Sequence, residues 1–294
     1  MKKRVAYWSL MILLVPSCQQ QEEKTPAKEE KPFLPEWKKP KRLAYSLAHT
    51  AEWLQDSTLT DREKELVYAV NRTDRSNFKH LDSVLLPLDL SGDLVSYFPF
   101  PPEVPALNDV AKVVFFSYST QTFAAYEHGV LVYTGPTNMG RAKDPTPTGL
   151  FFTNWKAKKT ISTVNDEWEL KWNFNILNNQ GIGWHQYTMP GYPASHSCLR
   201  LTEQDAKYLY QWADQWVLAN KTTVQVKGTP VIVFGTYDFS APKPWLKLPD
   251  DPHALDISEE ELESVAEPFL DRIFAEQENR EQYESAQNPK AALE

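Results

Sequence analysis

Alternation of apolar and polar positions with a period of two dominates the middle of the chain. After Lys112 the apolar positions are filled mainly by β-branched and aromatic residues, which predicts short strands. The predicted strands cover residues 113–116, 122–126, 130–133, 150–153, 173–177, 182–186, 224–226 and 231–234. One convincing helix interrupts them, at 203–218, with Thr202 as its N-cap. This pattern predicts a mostly β fold, a small β-sandwich or open barrel with one main helix.

A small helical module is predicted before these strands, over residues 42–105. Apolar positions from Leu43 to Leu54 are spaced as on one helix, and a capping box at 60–63 begins a second. An Asn-containing turn at 71–74 then leads to a short strand that closes on a proline. This half of the module resembles the end of a wall-binding LysM module, and a simple packing appendage fits the same pattern.

The C-terminal extension, residues 237–294, combines an amphipathic pattern with acidic charge. Helical spacing relates Leu262, Val265, Phe269 and Ile273. Pro268 interrupts this pattern and is predicted to begin a helix rather than to lie inside one. We therefore expect an amphipathic helix that docks on the domain, followed by an acidic tail.

The N-terminal end has the pattern of an export signal. Three basic residues precede an apolar run of about eleven residues, which is too short to span a bilayer. Ser17 and Cys18 follow and resemble a bacterial lipobox, so we expect a signal peptide at 1–17 and lipid on Cys18. Residues 18–41 are rich in Gln, Glu, Lys and Pro and are predicted to be a flexible linker. Ordinary secretion, with Cys18 left as a thiol, is the alternative.

Composition and charge restrict the partners of the chain. At 41% hydrophobic and 13% aromatic residues, the sequence can build one sizeable core. The formal net charge of −8 argues against a nucleic-acid partner and leaves no basic patch for anionic lipid. We expect a membrane contact only through the N-terminal lipid anchor.

The candidate chemistry lies around the second cysteine. Cys198 follows His185 by thirteen residues, and a Pro/Gly loop at 189–193 folds the chain back between them. If Cys18 carries lipid, Cys198 has no disulfide partner in the chain and is a candidate nucleophile. An imidazole base, the guanidinium of Arg200 and the dipole of the following helix are each expected to lower its pKa. Backbone N–H groups beside the sulfur are candidate donors to an oxyanion.

Two other interpretations fit single residues of this segment. A lone histidine or a lone buried cysteine is more often structural than catalytic. His185, His196 and Cys198 are also metal-ligand types, but no fourth ligand is apparent and the spacing is not usual for zinc. The sequence therefore predicts neither a metal nor an organic cofactor.

Several motifs together resemble the catalytic domain of bacterial L,D-transpeptidases, the YkuD family. That family has a histidine on a strand, a loop, and then Ser/Thr-His-Gly-Cys with Arg or Asn two residues later. The corresponding residues here are His185, Ser195, His196, Cys198 and Arg200. Upstream, residues 120–126 and the turn at 145–149 resemble the opening strands and the Thr-Pro-x-Gly turn of the same domain. The resemblance covers residues 110–236.

The resemblance implies a role for each matched residue. Cys198 would be the nucleophile and His185 the base that takes its proton. His196 would line the site, and its backbone, with those of Ser197 and Cys198, would contribute to the oxyanion hole. Arg200 would either hold the loop or bind a substrate carboxylate.

The surroundings of these residues give further expectations. Ser195 belongs to the catalytic loop. His185 is expected to be oriented by a backbone carbonyl, with Gln186 as the nearest side-chain candidate. Trp184, next to His185, is the one tryptophan that we expect in a substrate groove.

One position departs from the family pattern. Ser197 stands where the family has glycine, which permits a positive φ or a close backbone approach. A serine in the left-handed region costs roughly 1 kcal/mol or more. Because the rest of the loop matches, we interpret Ser197 as an adaptation of the loop rather than the mark of an inactive enzyme.

The resemblance implies a lipoprotein of the cell envelope, facing the periplasm or the cell exterior, that acts on peptidoglycan stem peptides. Through a cysteine thioester it would form 3→3 crosslinks or attach a protein to the wall. An L,D-carboxypeptidase or a hydrolase of wall-protein links would use the same residues. A non-catalytic wall-binding lipoprotein is the remaining alternative. The sequence does not identify the acceptor, the membrane leaflet or the oligomeric state.

Overall fold

Short strands and few helices make up the described part of the chain. The structure, a computed structural model, describes residues 35–55, 58–162 and 168–287. The elements are, in chain order, β1 (Tyr45–His49), α1 (Thr50–Trp53), α2 (Asp61–Val70), α3 (Arg75–Phe78), β2 (Ser83–Pro87), β3 (Val113–Ser117), β4 (Thr122–Glu127), β5 (Val130–Pro136), β6 (Gly149–Phe152), β7 (Lys156–Ile161), β8 (Glu169–Leu177), β9 (Ile182–Gln186), β10 (Leu199–Leu201), α4 (Glu203–Trp212), β11 (Val217–Leu218), β12 (Val224–Val226), β13 (Pro230–Phe234), α5 (Glu259–Ala266) and α6 (Leu270–Gln287). Short 3-10 helices lie at Leu94–Tyr97, Pro105–Leu107, Asn178–Gln180, Pro244–Lys247 and Glu267–Phe269.

The larger sheet has five strands in the order β5-β4-β3-β13-β6. Strand β3 pairs in parallel with β13, whereas the other pairs are antiparallel. All five residues of β3 are buried, because both faces of this sheet are covered. The hairpin between β4 and β5 turns at His128 and Gly129, which both have positive φ, as the predicted tight turn requires.

The second sheet has four strands in the order β10-β9-β8-β7 and packs against the first. Between the sheets lies a core shared by β3, β4, β8, β9, β10 and α4, with Phe116, Phe174 and Trp184 among its largest side chains. The predicted mostly β fold is therefore confirmed, and the described strands form open sheets rather than a closed barrel. This core supports the strands that carry the candidate site.

The C-terminal helices cover the outer face of the five-stranded sheet. Leu262 and Ile273 are buried there, and Val265 and Phe269 pack against the same cluster. The predicted amphipathic helix thus docks on the domain, although the chain forms α5 and α6 rather than one continuous helix. The short 3-10 turn that contains Pro268 separates them, as the position of the proline indicates.

The structure corrects the sequence prediction in the N-terminal module. The helix expected between Leu43 and Leu54 is present only at Thr50–Trp53, because residues Tyr45–His49 form β1, which pairs with β2. A spacing of four residues fits both a helix and a strand, and the partner strand decides between them. The predicted capping box is present, since the Thr60 hydroxyl accepts from the Glu63 backbone N–H while the Glu63 side chain accepts from that of Thr60.

Three further differences lie near the site. The helix predicted at 203–218 ends at Trp212, and Ala213 is already extended. Strand β7, Lys156–Ile161, was not predicted, because its lysine-rich sequence lacks the apolar alternation of a half-buried strand. Strand β10 was also missed, and it is the strand that follows Cys198.

The described residues of the N-terminal module and the two sheets form one compact unit. The wall-binding role of the module stays a prediction. The predicted signal peptide, Cys18 and the linker up to residue 34 lie outside the described residues, as does the tail after residue 287. Within the described ranges, no helix has the length and hydropathy needed to cross a membrane.

Candidate active site

The parallel pairing of β9 and β10 brings the candidate residues together. Its register places Arg200 opposite His185. Because side chains alternate along a strand, Cys198 and Arg200 lie on one face, and Trp184, Leu199 and Leu201 point into the core. His185 and Cys198 line one small cavity, together with Ser162, Trp168, Leu170, Tyr187, Ser195, His196 and Arg200.

His185 is a buried, neutral imidazole. Its Nδ1 lies 3.1 Å from the backbone oxygen of Gln186, so Nδ1–H is assigned as the donor and Nε2 as the free acceptor. Burial lowers the pKa of His185 to about 4, helped by the charge of Arg200 and opposed by the Gln186 carbonyl. At neutral pH the ring can therefore accept a proton. The orienting group is the main-chain oxygen of Gln186 rather than its side chain.

Cys198 is a free, half-buried thiol. Its Sγ lies 3.9 Å from the oxygen of Gly181. Burial raises the pKa of the Cys198 thiol, and the N–H of Gly183 and the charge of Arg200 only partly oppose this effect. The expectation of a lowered pKa is therefore wrong. Strand β10 separates Cys198 from α4, so the helix dipole does not begin at the sulfur.

Ser197 has a left-handed backbone, with φ of 78°. This is the conformation for which a glycine is preferred, so Ser197 adopts the positive φ that the glycine of the family pattern would permit. The Ser197 hydroxyl donates to the backbone oxygen of Asp144 at 3.3 Å, and the Ser197 carbonyl accepts from the Thr146 hydroxyl at 2.9 Å. The residue is thus held by the loop that contains the predicted turn at 145–149.

Ser195 closes the short turn that carries the thiol. It is buried, and its hydroxyl donates to the backbone oxygen of Cys198. Its N–H donates to the oxygen of Met139 at 3.1 Å, and its oxygen accepts from the N–H of Arg141 at 3.0 Å. Ser195 therefore fixes the backbone of the turn and is not itself presented as a reacting group.

His196 forms one wall of the cavity. Its ring stacks on Trp168 with a centroid distance of 5.1 Å, and its Nε2 lies 3.9 Å from Oδ2 of Asp144. Burial, followed by the charge of Arg141, lowers the pKa of His196, whereas Asp144 opposes this shift. Its buried Nδ1 has no hydrogen-bond partner among the described residues.

Arg200 holds the loop between the two strands. Its two terminal nitrogens donate to the oxygens of Thr188 and Ala194, each at 3.2 Å, and its guanidinium lies over the ring of Tyr187 at 4.6 Å. Both ends of the loop are thus attached to one side chain. Of the two roles that the resemblance implied for Arg200, these contacts favour loop holding over binding of a substrate carboxylate.

Trp184 does not line the cavity. It is fully buried in the core and packs on Phe116 and Phe174, with centroid distances of 6.1 and 5.1 Å. Its placement in a substrate groove is therefore wrong, because adjacent residues of a strand point to opposite faces. The aromatic walls of the cavity are Trp168 and Tyr187, for which the sequence offered no local signal.

The described residues contain no group of three or more histidine, cysteine or acidic side chains arranged to hold a metal ion. The His185 ring is oriented by the oxygen of Gln186, whereas the His196 ring stacks on Trp168. The chemistry that this arrangement supports is nucleophilic: a thiol, a neutral base and a fixed backbone turn beside one cavity.

A family model for the L,D-transpeptidase catalytic domain, YkuD, matches residues 111–233. Solved structures similar to this chain include an L,D-transpeptidase from Stackebrandtia nassauensis, with 24% identity and a TM-score of 0.35, covering 43% of this chain and 57% of that one. An L,D-transpeptidase from Mycobacterium tuberculosis H37Rv has 24% identity and a TM-score of 0.34, covering 42% and 58%.

The chain thus spans less than two thirds of the length of these solved structures. No curated protein matches it. The assignment rests on the family model, whose matched segment contains β3 to β13 almost whole and every residue of the candidate site. The match to the L,D-transpeptidase catalytic-domain model over residues 111–233 thus agrees with the resemblance that the sequence motifs predicted.

Proposed function

We propose that this protein is a peptidoglycan L,D-transpeptidase with Cys198 as its nucleophile. The observation that carries the proposal is that Cys198 and His185 line one cavity inside the segment that matches the family. The substrate would be a stem tetrapeptide, cleaved between the L-centre of its dibasic residue and the terminal D-Ala. The product would be a 3→3 crosslink or a protein attached to the wall.

In the first half of the reaction, Nε2 of His185 takes the thiol proton as Cys198 Sγ attacks the carbonyl carbon. The tetrahedral intermediate then collapses, the C–N bond breaks, and His185 returns the proton to the amine of the departing D-Ala. The enzyme is left with a thioester at Cys198. A neutral imidazole is required at the start, and the low pKa of His185 supports that role.

In the second half, the amine of an acceptor attacks the thioester carbonyl. His185 takes the proton of this amine and gives it to the departing sulfur of Cys198, which restores the thiol and leaves a new amide bond. Both halves pass through an oxyanion. A left-handed residue such as Ser197 is a component of the backbone nests that bind anions, so its φ of 78° supports an oxyanion site here.

Water in place of the amine would make the same site an L,D-carboxypeptidase or a hydrolase of wall-protein links. We prefer the amine because the family whose model matches residues 111–233 is that of the L,D-transpeptidases. The non-catalytic alternative would leave the orientation of His185 by Gln186 without a purpose.

The localisation is proposed from the sequence. Lipid on Cys18 would tether the domain to a membrane of the cell envelope, facing the periplasm or the cell exterior. A Cys18→Ala variant, expressed in a bacterial host and fractionated, is expected to leave the membrane fraction. Retention of that variant with the membranes would contradict a lipid anchor.

The test of the activity is mass spectrometry of the purified protein incubated with tetrapeptide muropeptides. We expect a product equal to two stems joined with loss of one D-Ala, and no product with Cys198→Ala. A tripeptide as the only product would move the assignment to carboxypeptidase. No covalent change in the folded wild-type protein, with amine acceptors supplied, would contradict the proposal.

A further inference from the structure

The loop of residues 187–194, here called the connecting loop, joins the two reacting groups. It begins two residues after His185 and ends four residues before Cys198. The separation of imidazole and thiol therefore depends on the pairing of β9 with β10 and on how this loop is held. Small errors in the placement of reacting groups are costly, since a shift of about 1 Å can reduce a rate roughly 100-fold.

The catalytic domain holds the two ends of the connecting loop. Arg200 donates to the oxygens of Thr188 and Ala194. The Asn138 side chain donates to the oxygen of Tyr192 and accepts from the N–H of Ala194. These contacts come from strands and loops of the matched segment.

The N-terminal module holds the middle of the connecting loop. Both backbone groups of Met189 are bonded to residues that lie more than a hundred positions earlier in the chain. Its N–H donates to Oδ2 of Asp74 at 2.6 Å, and its oxygen accepts from the Thr73 hydroxyl at 2.9 Å and from the Asp74 N–H at 3.1 Å. Thr73 also forms a β-bridge with Pro190.

The turn that makes these contacts is itself firmly fixed. Arg72 is buried, donates through Nε to the oxygen of Thr120 at 3.0 Å, and lies between the rings of Phe98 and Trp245 at 5.3 and 5.1 Å. This side chain attaches the turn to the loop before β4. Because the turn is anchored in this way, it can fix the position of the connecting loop that it contacts.

Asp74 uses its two carboxylate oxygens for different purposes. Oδ1 accepts from the backbone N–H groups of Ser76 and Asn77 and so caps α3. Oδ2 accepts from the N–H of Met189 and from the Asn77 side chain. The Asp74 side chain therefore caps the N-terminus of α3 and also holds the connecting loop.

We propose that the turn Thr73–Asp74 positions the connecting loop, and that Asp74 and Thr73 are positioning residues for the pair His185 and Cys198. Their effect on turnover rests on the proposed function, whereas their effect on the reactivity of the thiol does not. The N-terminal module would then be part of the catalytic unit rather than a separate wall-binding attachment.

The sharpest test is the substitution Asp74→Asn in the full chain. Asparagine is as good an N-cap as aspartate, so its oxygen can still cap α3. Its amide nitrogen then faces the N–H of Met189, so that a donor meets a donor and the loop contact is lost. Thr73→Val removes the second contact with little change of shape, and Thr73→Ser restores the hydroxyl.

The matched control is Thr60→Val, which removes a capping hydroxyl from α2 in the same module without touching the connecting loop. For each variant, the measurements are the thermal unfolding midpoint, kcat and KM for tetrapeptide, and the rate at which iodoacetamide alkylates Cys198.

We expect Asp74→Asn and Thr73→Val to lower kcat and to change the alkylation rate by about tenfold or more, with little change in KM. Thr73→Ser should return both rates towards the wild-type values. Thr60→Val should lower the unfolding midpoint by a similar amount and leave both rates unchanged.

Unchanged rates in folded Asp74→Asn and Thr73→Val would overturn the proposal and make the module a packing appendage. If Asp74→Asn does not fold, the comparison of Thr73→Val with Thr73→Ser decides, by the same kcat and alkylation rates. If the wild type has no transpeptidase activity but the alkylation rate still depends on Thr73 and Asp74, the proposed function fails while the positioning role stands.

Discussion

His185 and Arg200 face each other in register across the parallel strands β9 and β10. The imidazole is buried and lies beside the guanidinium of Arg200. Both burial and this neighbouring cation disfavour protonation of His185. Burial is the larger cause and the cation the smaller one of a His185 pKa of about 4. Cys198 is half-buried, and this burial raises the pKa of its thiol. At neutral pH the pair therefore rests as thiol and imidazole, not as thiolate and imidazolium.

This resting state predicts the pH dependence of the reaction. Because only neutral His185 can accept the thiol proton, kcat/KM should fall on acidification only near pH 4, where His185 becomes protonated. Alkylation of Cys198 should be slower than that of a model thiol at pH 7 and should rise with pH, with a midpoint above that of a free thiol. The check is both pH profiles on one preparation. Rapid alkylation at pH 7 would indicate an ion pair instead, and an acidic limb near 6.5 would contradict the lowered pKa of His185.

Two buried groups, His185 and Asp205, should change the free energy of unfolding in opposite directions as the pH falls. The pKa of His185 falls from 6.5 unfolded to about 4 folded, so the folded state loses stability as pH drops through this range. Asp205, buried at the start of α4, accepts from Tyr133 at 2.8 Å and Thr202 at 2.6 Å. Burial raises its pKa from 3.8 to about 6 despite these hydroxyls, so stability is lost as pH rises from 3.8 to 6.

Each shift corresponds to a change in the free energy of unfolding on the order of 3 kcal/mol, and the two changes nearly cancel between pH 4 and 6. In Asp205→Asn only the His185 contribution is left, so stability should fall more steeply on acidification than in the wild type. His185→Gln should show the reverse slope. Urea denaturation at several pH values measures both, and parallel curves for all three proteins would contradict the assignment of these two groups.

The sequence predicted the central strands and the site motifs because their signals are local. The alternation at β3, the His128-Gly129 turn and the Thr202 cap each depend on a few neighbouring residues. The error at Trp184 was avoidable, since period two places it opposite His185. The raised pKa of Cys198 was not predictable, because it depends on burial by distant residues. The contact of Asp74 with Met189 is of the same kind, since 115 positions separate the two.

Arg200 should be replaceable by lysine only with loss of function. Its fork donates to two carbonyls, at Thr188 and Ala194, and a lysine ammonium presents a single point that cannot reproduce this geometry. We expect Arg200→Lys to lower kcat/KM by about 10- to 100-fold and the free energy of unfolding by about 1–3 kcal/mol. Steady-state kinetics and chemical denaturation give the two values.

A matched control for this variant lies on α6. Arg280 donates through one terminal nitrogen to the oxygens of Gln215 and Lys227, at 2.8 and 2.7 Å, and through the other to Glu284 at 3.0 Å. Arg280→Lys makes the same chemical change away from the cavity and should destabilise the protein without lowering the activity of the folded fraction. Equal losses of activity in the two variants would mean that Arg200 acts only through global stability.

Ser197 should tolerate glycine and not alanine. The left-handed region costs a residue with a Cβ about 1–2 kcal/mol, and glycine is free of this cost. Ser197→Gly also loses the hydrogen bond to Asp144, worth about 1 kcal/mol, so its net stability should lie within about 1 kcal/mol of the wild type. Ser197→Ala loses the bond and keeps the strain, so it should be less stable than Ser197→Gly by about 1–2 kcal/mol.

The same comparison at His128, which has a φ of 46° in the hairpin between β4 and β5, provides the control. His128→Gly should be more stable than His128→Ala by about 1–2 kcal/mol, as at Ser197, and neither substitution should affect kcat. At Ser197, glycine should retain or raise kcat, because the backbone that would face the oxyanion keeps its conformation. A large fall of kcat in Ser197→Gly, with stability preserved, would instead show that the hydroxyl of Ser197 takes part in the reaction.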